Sequence, residues 1–260
     1  MLKDIKLRTL KNTLMRGKCD PSHFSESQII NLSGSWMDPP GKLCKKGSST
    51  VAYICGGVFV KCSPARKSTK ALRRIFQTPR SKRSMIMAEK LNQLGIATPQ
   101  VFCAVRETKY LLPVCDYLAT SVLDENVTFC DKLPSREWEN AFQRITSLLG
   151  NIHSADIVHG DASMRNFYLF RNGSENLTGT IDLDGCRRVP FFLRKKLFSI
   201  DKARFISSFI ICSGEQETPE NIRNLCSRFI GLYRNINSKH KIDPVRLEKD
   251  TLRFLQSTRR

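Results

Sequence analysis

Two apolar runs separated by a polar turn constrain this chain more than anything else in it. The first covers residues 167–170 and the second ends at Asp182, with Arg171-Asn172-Gly173-Ser174-Glu175-Asn176 between them. Asn-Gly between apolar runs is a strong hairpin signal, because both residues tolerate the positive φ that a two-residue turn requires. A hairpin centred near Ser174 places Asn166 and Asp182 side by side at its open end. Asp161 precedes Asn166 by five positions, on the loop that leads in from His159. Amide and carboxylate oxygens gathered in this way suit Mg²⁺, which takes hard oxygen ligands from one or two side chains together with substrate phosphates. Residues 159–185 are therefore the segment on which chemistry is expected.

The charge balance points to an anionic partner. Lys and Arg number 43 against 24 Asp and Glu, a net +19. So basic a surface suits nucleic acid, anionic membrane or a phosphorylated substrate, and charge alone does not choose among them. Nucleic acid is not expected, since no stretch combines basic and stacking aromatic residues. No apolar run reaches the length of a membrane span, and the basic N-terminus lacks the apolar core of a secretory signal. The 10 cysteines show no CxxC pairs and no zinc-finger spacing with histidine, which favours reduced thiols in a cytosolic protein over a disulfide framework.

Upstream, residues 50–55 and 58–62 read as strands joined by Gly56-Gly57. The small-residue turn Gly47-Ser48-Ser49 before them is able to lay backbone N–H groups over a triphosphate. Between Cys62 and Ala88 stand eight cations (Arg66, Lys67, Lys70, Arg73, Arg74, Arg80, Lys82, Arg83) and no acid. Like charges on one helix face repel, so this run favours an anion-binding face over a solvated one. Residues 84–94 read as a helix ending at Gly95, and 96–106 and 110–114 as strands.

Residues 136–154 have a helical apolar period, through Trp138, Phe142, Ile145, Leu148, Leu149 and Ile152. Residues 1–18, with Leu2, Ile5, Leu10 and Leu14 among lysines and arginines, read as a basic terminal helix, either packed on the body or lying on a membrane surface. A second basic zone, Arg187, Arg188, Arg194, Lys195 and Lys196, encloses Val189-Pro190-Phe191-Phe192-Leu193. It reads either as an anionic-lipid interface or as a buried turn with basic neighbours. Helices over 200–211, 219–235 and 244–256 complete the chain.

Taken together, these motifs resemble the bacterial lipopolysaccharide core kinases, the Kdo/heptose kinase family within the protein-kinase-like superfamily. GSSTVAYICGGVFVK is similar to that family's first strands and lysine, and LNQLGIATPQVF to the helix end and strand that follow. IVHGDASMRNFYL resembles the catalytic loop, and GTIDLDGCRR with DKARF the metal segment and the helix after it. The likeness runs over residues 43–209.

It implies an α+β, two-lobed kinase-like fold with a small antiparallel-sheet N-lobe and a larger, mainly helical C-lobe. The expected division is an N-terminal extension over 1–42, an N-lobe over 43–116 and a C-lobe over 117–260. ATP with Mg²⁺ is the implied cofactor, bound between the lobes. Asp161 is then the catalytic base, Asn166 and Asp182 the metal ligands, and Lys61 the grip on the ATP phosphates beside the Gly47-Ser48-Ser49 turn.

Glu89, the only acid between Lys61 and Glu107, is the candidate partner of that lysine, and Cys115 belongs to the expected hinge at 114–117 that meets the nucleobase. Asp184 assists the metal site, and His159 orders the loop. The chain departs from the wider kinase pattern in having one clear glycine in the first turn and Ser163 two places after Asp161, where many kinases carry lysine. Arg165 is the candidate replacement for that cation.

The implied acceptor is a Kdo or heptose hydroxyl of the lipopolysaccharide inner core, or another anionic glycolipid, met at the cytoplasmic face of the inner membrane with peripheral contact to anionic lipid. Two alternatives stay open: a kinase acting on another small molecule or a protein, and a pseudokinase scaffold that binds anionic lipid.

Overall fold

Tyr110 and Leu111 both adopt positive φ, 49° and 66°, and the tight turn they form joins the two longest strands of the protein, β6 (Val101–Lys109) and β7 (Leu112–Ser121). The computed structural model describes residues 1–9, 13–65, 68–172 and 175–258. These form two compact units, one of residues 1–89 and 99–123, the other of residues 90–98 and 124–260. The division at 123/124 lies beyond the expected one at 116/117, because β7 continues in register as far as Ser121. The hairpin between β6 and β7 was harder to place from sequence, since neither Tyr nor Leu is a usual residue for a turn needing positive φ.

The first unit is a seven-stranded antiparallel sheet in the order β1-β2-β6-β7-β5-β4-β3. Its remaining strands are β1 (Lys3–Arg8), β2 (Leu14–Cys19), β3 (Lys42–Lys46), β4 (Val51–Cys55) and β5 (Val58–Pro64). Residues 1–42, expected as an extension with a basic helix, instead supply two strands to this sheet. Half-buried Ile5 and Leu7 alternate with exposed Lys6 and Arg8, a period of two that suits a strand with one covered face. The expected helix position Leu10 lies outside the described residues. Gly56 and Gly57, with φ of 56° and 74°, close the β4–β5 hairpin.

One face of the sheet carries the unit's core: Met15, Val51, Tyr53, Val60, Cys62, Val105 and Tyr117 pack with Phe24, Ile29 and Leu32 from the segment around α1 (Glu26–Asn31). A capping box between Ser25 and Gln28 starts that helix. Buried Glu107 ties the segment down, accepting hydrogen bonds from the Ser33 hydroxyl at 2.6 Å and the Tyr117 hydroxyl at 2.6 Å. Burial and the adjacent Glu107 carboxylate push the Tyr117 phenol well above its ordinary pKa.

The cysteine reading is corrected here. Cys19 and Cys103 stand directly opposite one another on β2 and β6 and are joined by a disulfide, while the other eight cysteines are free. A pair separated by 84 positions becomes adjacent only through strand register, so spacing along the chain carries no sign of it.

On the other side of the sheet run α2 (Ser68–Ile75) and α3 (Arg80–Gln93). Asp116 holds their junction: its carboxylate accepts from Arg106 at 2.6 and 3.2 Å and from the backbone N–H of Arg80 at 3.0 Å. Arg106 also donates to the carbonyls of Arg74 and Gln77. Of the cationic run expected to bind anions, Arg66 and Lys67 lie outside the described residues, and Arg74 is buried with its guanidinium donating to the Ser63 carbonyl at 2.7 Å.

The second unit is mainly helical: α4 (Trp138–Ser154), α5 (Phe191–Ser213), α6 (Pro219–Ile236) and α7 (Pro244–Thr258). Phe142 on α4, Phe205 and Phe209 on α5, and Phe229 and Tyr233 on α6 interlock in its centre, with neighbouring ring centroids 4.8–6.4 Å apart. Five short strands complete it: β8 (Thr128–Phe129), β9 (Ile157–Val158), β10 (Phe167–Asn172), β11 (Glu175–Thr180) and β12 (Arg187–Arg188). α5 begins nine residues before the expected start at Ile200, because its first turn exposes Phe191, Phe192 and Leu193 and so shows no apolar period.

Candidate active site

The loop from His159 to Asn166 is shaped by its backbone before any side chain acts. Gly160 has φ of +83°, and a Cβ there would lie 2.5 Å from the carbonyl oxygen of Gly185, so only glycine lets these two segments meet. The Asp201 carboxylate, on α5, then accepts both the His159 N–H at 2.6 Å and the Gly160 N–H at 2.9 Å. Asp201 is fully buried and also meets the His153 Nε2 at 3.4 Å. His153 in turn accepts from the Tyr233 hydroxyl at 2.8 Å through Nδ1. Burial lowers the His153 pKa to about 4, so the ring stays neutral with one nitrogen donating and one accepting.

His159 is buried too, and burial holds its pKa below the ordinary imidazole value despite the carboxylates of Asp201, Asp161 and Asp182. Its Nε2 lies 2.7 Å from the Thr180 hydroxyl, and its Nδ1 accepts from the Asp161 N–H at 3.3 Å. Since the Thr180 hydroxyl donates to the Asn166 carbonyl at 3.0 Å, the proton of His159 resides on Nε2. The ring thus links the loop to β11 and holds the backbone of Asp161.

The β10–β11 hairpin has the register Phe167↔Thr180 and Asn172↔Glu175, with Ser174 at the turn outside the described residues. The ladder is prolonged by the Ile181 N–H donating to the Asn166 carbonyl at 2.9 Å. Asp182 follows immediately in the left-handed conformation at φ 58°, one that aspartate adopts more readily than most residues. It is exposed, and Asp184 is half-buried.

Asn166 is buried, and its Nδ2 donates to the Asp161 carbonyl at 2.8 Å and to Asp161 Oδ2 at 3.1 Å. Both amide protons are accounted for, which leaves Oδ1 as the atom able to ligate a cation. An amide oxygen of this kind, like a carboxylate, is a hard donor of the type Mg²⁺ takes alongside phosphates. No group of three or more His, Cys, Asp or Glu that could hold a metal ion occurs among the described residues.

Two arginines approach Asp161. Arg204 on α5 lies 3.3 Å from Oδ1 and also donates to the Gly160 carbonyl. Arg165, more exposed, lies 3.6 Å from Oδ2. Asp201 and Arg204 escaped the sequence reading as site residues. The signal was present in DKARF, where the i,i+3 spacing sets both side chains on one helix face.

The remaining candidates belong to the sheet unit. Gly47, Ser48 and Ser49 form the β3–β4 turn, in which the Gly47 N–H donates to the Thr50 carbonyl at 2.8 Å. Lys61 lies within β5, opposite Ala52 and Leu118. Strand alternation sets it on the opposite face from Val60 and Cys62, the same face as Asp116 and hence as the α2–α3 junction. Glu89 is exposed on α3, and a solvated carboxylate adds at most about 1 kcal/mol to an ion pair. Cys115 is corrected as a hinge residue: it is buried within β7, flanked by Pro64 of β5 and Glu107 of β6, so its backbone belongs to the ladder and not to a link between units. The chain leaves the sheet only after Ser121.

Comparison with known proteins gives this arrangement its context. No curated protein matches the sequence. Among solved structures the chain is similar to one described as WaaP in complex with acyl carrier protein, at 17% identity and a TM-score of 0.44, over 78% of this chain and 91% of that one. The model of the lipopolysaccharide kinase (Kdo/WaaP) family matches residues 63–226. That span holds Glu89, Cys115, Asp161, Arg165, Asn166, Asp182, Asp201 and Arg204, whereas Lys61 and the Gly47-Ser48-Ser49 turn precede it. An antiparallel sheet unit, a mainly helical unit carrying the Asp161 loop, and a match over well over half the length agree with one another: the chain belongs to the lipopolysaccharide kinase (Kdo/WaaP) family, a family of phosphotransferases.

Proposed function

We propose that this kinase transfers the γ-phosphate of ATP to a hydroxyl of a Kdo or heptose sugar in the lipopolysaccharide inner core. The observation that carries this reading is Asp161. It is a carboxylate fixed by the Asn166 amide at 3.1 Å, on a loop whose two preceding amides are held by buried Asp201. A group so fixed is suited to orient an acceptor hydroxyl and take its proton, since phosphoryl transfer depends mainly on positioning and charge neutralisation.

In the reaction the sugar oxygen forms a bond to the γ-phosphorus while the bond to the bridging β,γ-oxygen breaks. ADP leaves, and the hydroxyl proton passes to Asp161. Arg165 and Arg204, which flank Asp161, offset negative charge developing on the transferred group. Asn166 through Oδ1 and Asp182, with Asp184 assisting, would hold Mg²⁺. When bound, the ion neutralises charge on the β- and γ-phosphates. Lys61 and the Gly47-Ser48-Ser49 turn are assigned to the ATP phosphates. The net +19 supports an acceptor that is itself anionic, as a phosphate- and carboxylate-bearing sugar core is.

The test is transfer of labelled phosphate from ATP to purified core lipopolysaccharide, followed by mass spectrometry to locate the modified sugar. Addition of one phosphate to Kdo or heptose by the wild-type protein and not by Asp161→Asn is the expected result. Transfer to a different acceptor in preference, or ATP binding without transfer to any, overturns the reading.

A further inference from the structure

We propose that the start of α5 is a docking surface for an anionic lipid bilayer. Phe191, Phe192 and Leu193 are 78%, 69% and 38% exposed on consecutive positions, an unusual amount of aromatic surface to leave in water. Exposed Arg187, Arg188, Lys195 and Lys196 flank them, and residues 185–200 contain no Asp or Glu. Aromatic side chains that enter the headgroup region, ringed by cations that meet lipid phosphates, form the usual composition of a helix resting on an anionic membrane. The charge complementarity selects anionic lipid over neutral.

The patch is held firmly on both sides. Val189 and Phe198 are buried together with Val158, and Arg194 donates to Asp156 at 2.6 Å, so the first turn of α5 is pinned with its aromatics outward. The sequence left this segment open between a lipid interface and a buried turn, and the exposure of both rings removes the second reading.

The surface is also tied to the catalytic loop within the same unit. Gly185, two residues before Arg187, packs against Gly160, and Arg204 of the same helix meets Asp161. Phe191 and Arg204 are 13 positions apart on α5, about 20 Å along a helix axis. Docking through Phe191 therefore keeps the Asp161 loop within about 20 Å of the lipid contact, measured along α5, a reach suited to a sugar borne on a lipid anchor, and this point rests on the acceptor proposed above. No helix among the described residues is long and apolar enough to cross a membrane, so contact at this patch is peripheral.

The test is sedimentation of the full chain with vesicles of phosphatidylcholine alone and of phosphatidylcholine mixed with phosphatidylglycerol. The wild-type protein is expected to bind the mixed vesicles and not the neutral ones. Phe191→Ser/Phe192→Ser should weaken partitioning at least about tenfold. Lys195→Gln/Lys196→Gln should weaken it about thirtyfold, from about 1 kcal/mol per cation, and flatten its salt dependence. Both variants should retain the wild-type melting temperature and wild-type transfer to detergent-dispersed acceptor. Failure of the wild-type protein to bind anionic vesicles, or undiminished binding by both variants, overturns the proposal. If vesicle binding behaves as expected while core lipopolysaccharide receives no phosphate, the acceptor assignment fails and the docking surface stands.

Discussion

The carboxylate of Asp201 accepts the backbone N–H of His159 at 2.6 Å, across 42 positions of sequence and inside a fully buried site. It also takes the next N–H, that of Gly160, at 2.9 Å. Removing the acceptor leaves the buried His159 N–H and the part-buried Gly160 N–H without their partner, at about 1–3 kcal/mol for the buried donor and less for the other. Asp201→Ala is expected to lower the unfolding free energy by about 2–5 kcal/mol and to speed hydrogen exchange at the His159 and Gly160 amides. Urea denaturation and exchange followed by mass spectrometry check this. Unchanged exchange at those amides would refute the anchoring role.

Asp161 and Arg204 should separate in kinetics. Asp161→Asn keeps the hydrogen-bonding shape but loses the base, so kcat should fall by about 10²–10⁴ with the melting temperature preserved. Arg204→Ala removes a cation 3.3 Å from Asp161 and a donor to the Gly160 carbonyl, and should lower kcat with a smaller change in KM for ATP. Steady-state kinetics over a range of ATP concentrations distinguishes the two.

Gly160→Ala should disrupt the loop through the backbone alone. The added Cβ would lie 2.5 Å from the Gly185 carbonyl, at a φ of +83° that alanine rarely adopts. The strain is expected to exceed about 1 kcal/mol and to misplace Asp161. A drop in the urea midpoint together with lost phosphate transfer is the expected pair of results, and full activity would contradict the close approach described here.

Acid should destabilise the helical unit by way of two buried imidazoles. Burial lowers the pKa of His153 to about 4 and holds that of His159 below its ordinary value. Both rings are neutral when folded, while in the unfolded chain they take up protons near pH 6.5. Their neutral burial thus contributes full stability above about pH 6.5, and that contribution is lost as pH falls toward the folded-state values. The expected slope is at most about 1.4 kcal/mol per pH unit for each histidine. Thermal melts between pH 7 and pH 4 test it, and His153→Gln should flatten the curve.

In the sheet unit, Asp116→Ala would strip Arg106 of a partner 2.6 Å away and free the Arg80 N–H. Breaking a pair this deeply buried costs about 3–5 kcal/mol. The same substitution at a true hinge would leave stability nearly intact, so guanidinium denaturation also checks the placement of residues 114–117 inside β7.

Local chemistry made much of the site readable in advance. Asn172-Gly173 announces a hairpin, and the period-two ladder of β10 and β11 sets Asn166 opposite Ile181, one residue short of the expected Asp182. The apolar period of residues 138–152 likewise announces α4. These signals are short-range, carried by backbone preference and by which face of an element avoids water. The Tyr110-Leu111 turn and the early start of α5 were hidden because their residues contradict or lack that pattern.

The order of residues alone settled that Asp161, Asn166 and Asp182 lie on one loop and one hairpin, since sequence separation and turn type limit where each can go. Long-range packing decided the rest. Asp201 and Arg204 reach the loop only because α5 packs beneath it, Cys19 finds Cys103 only through strand register, and Cys115 lies inside a strand because β5 and β6 pair on either side of it. Such contacts depend on burial and register across tens of residues, and no local run of sequence records them.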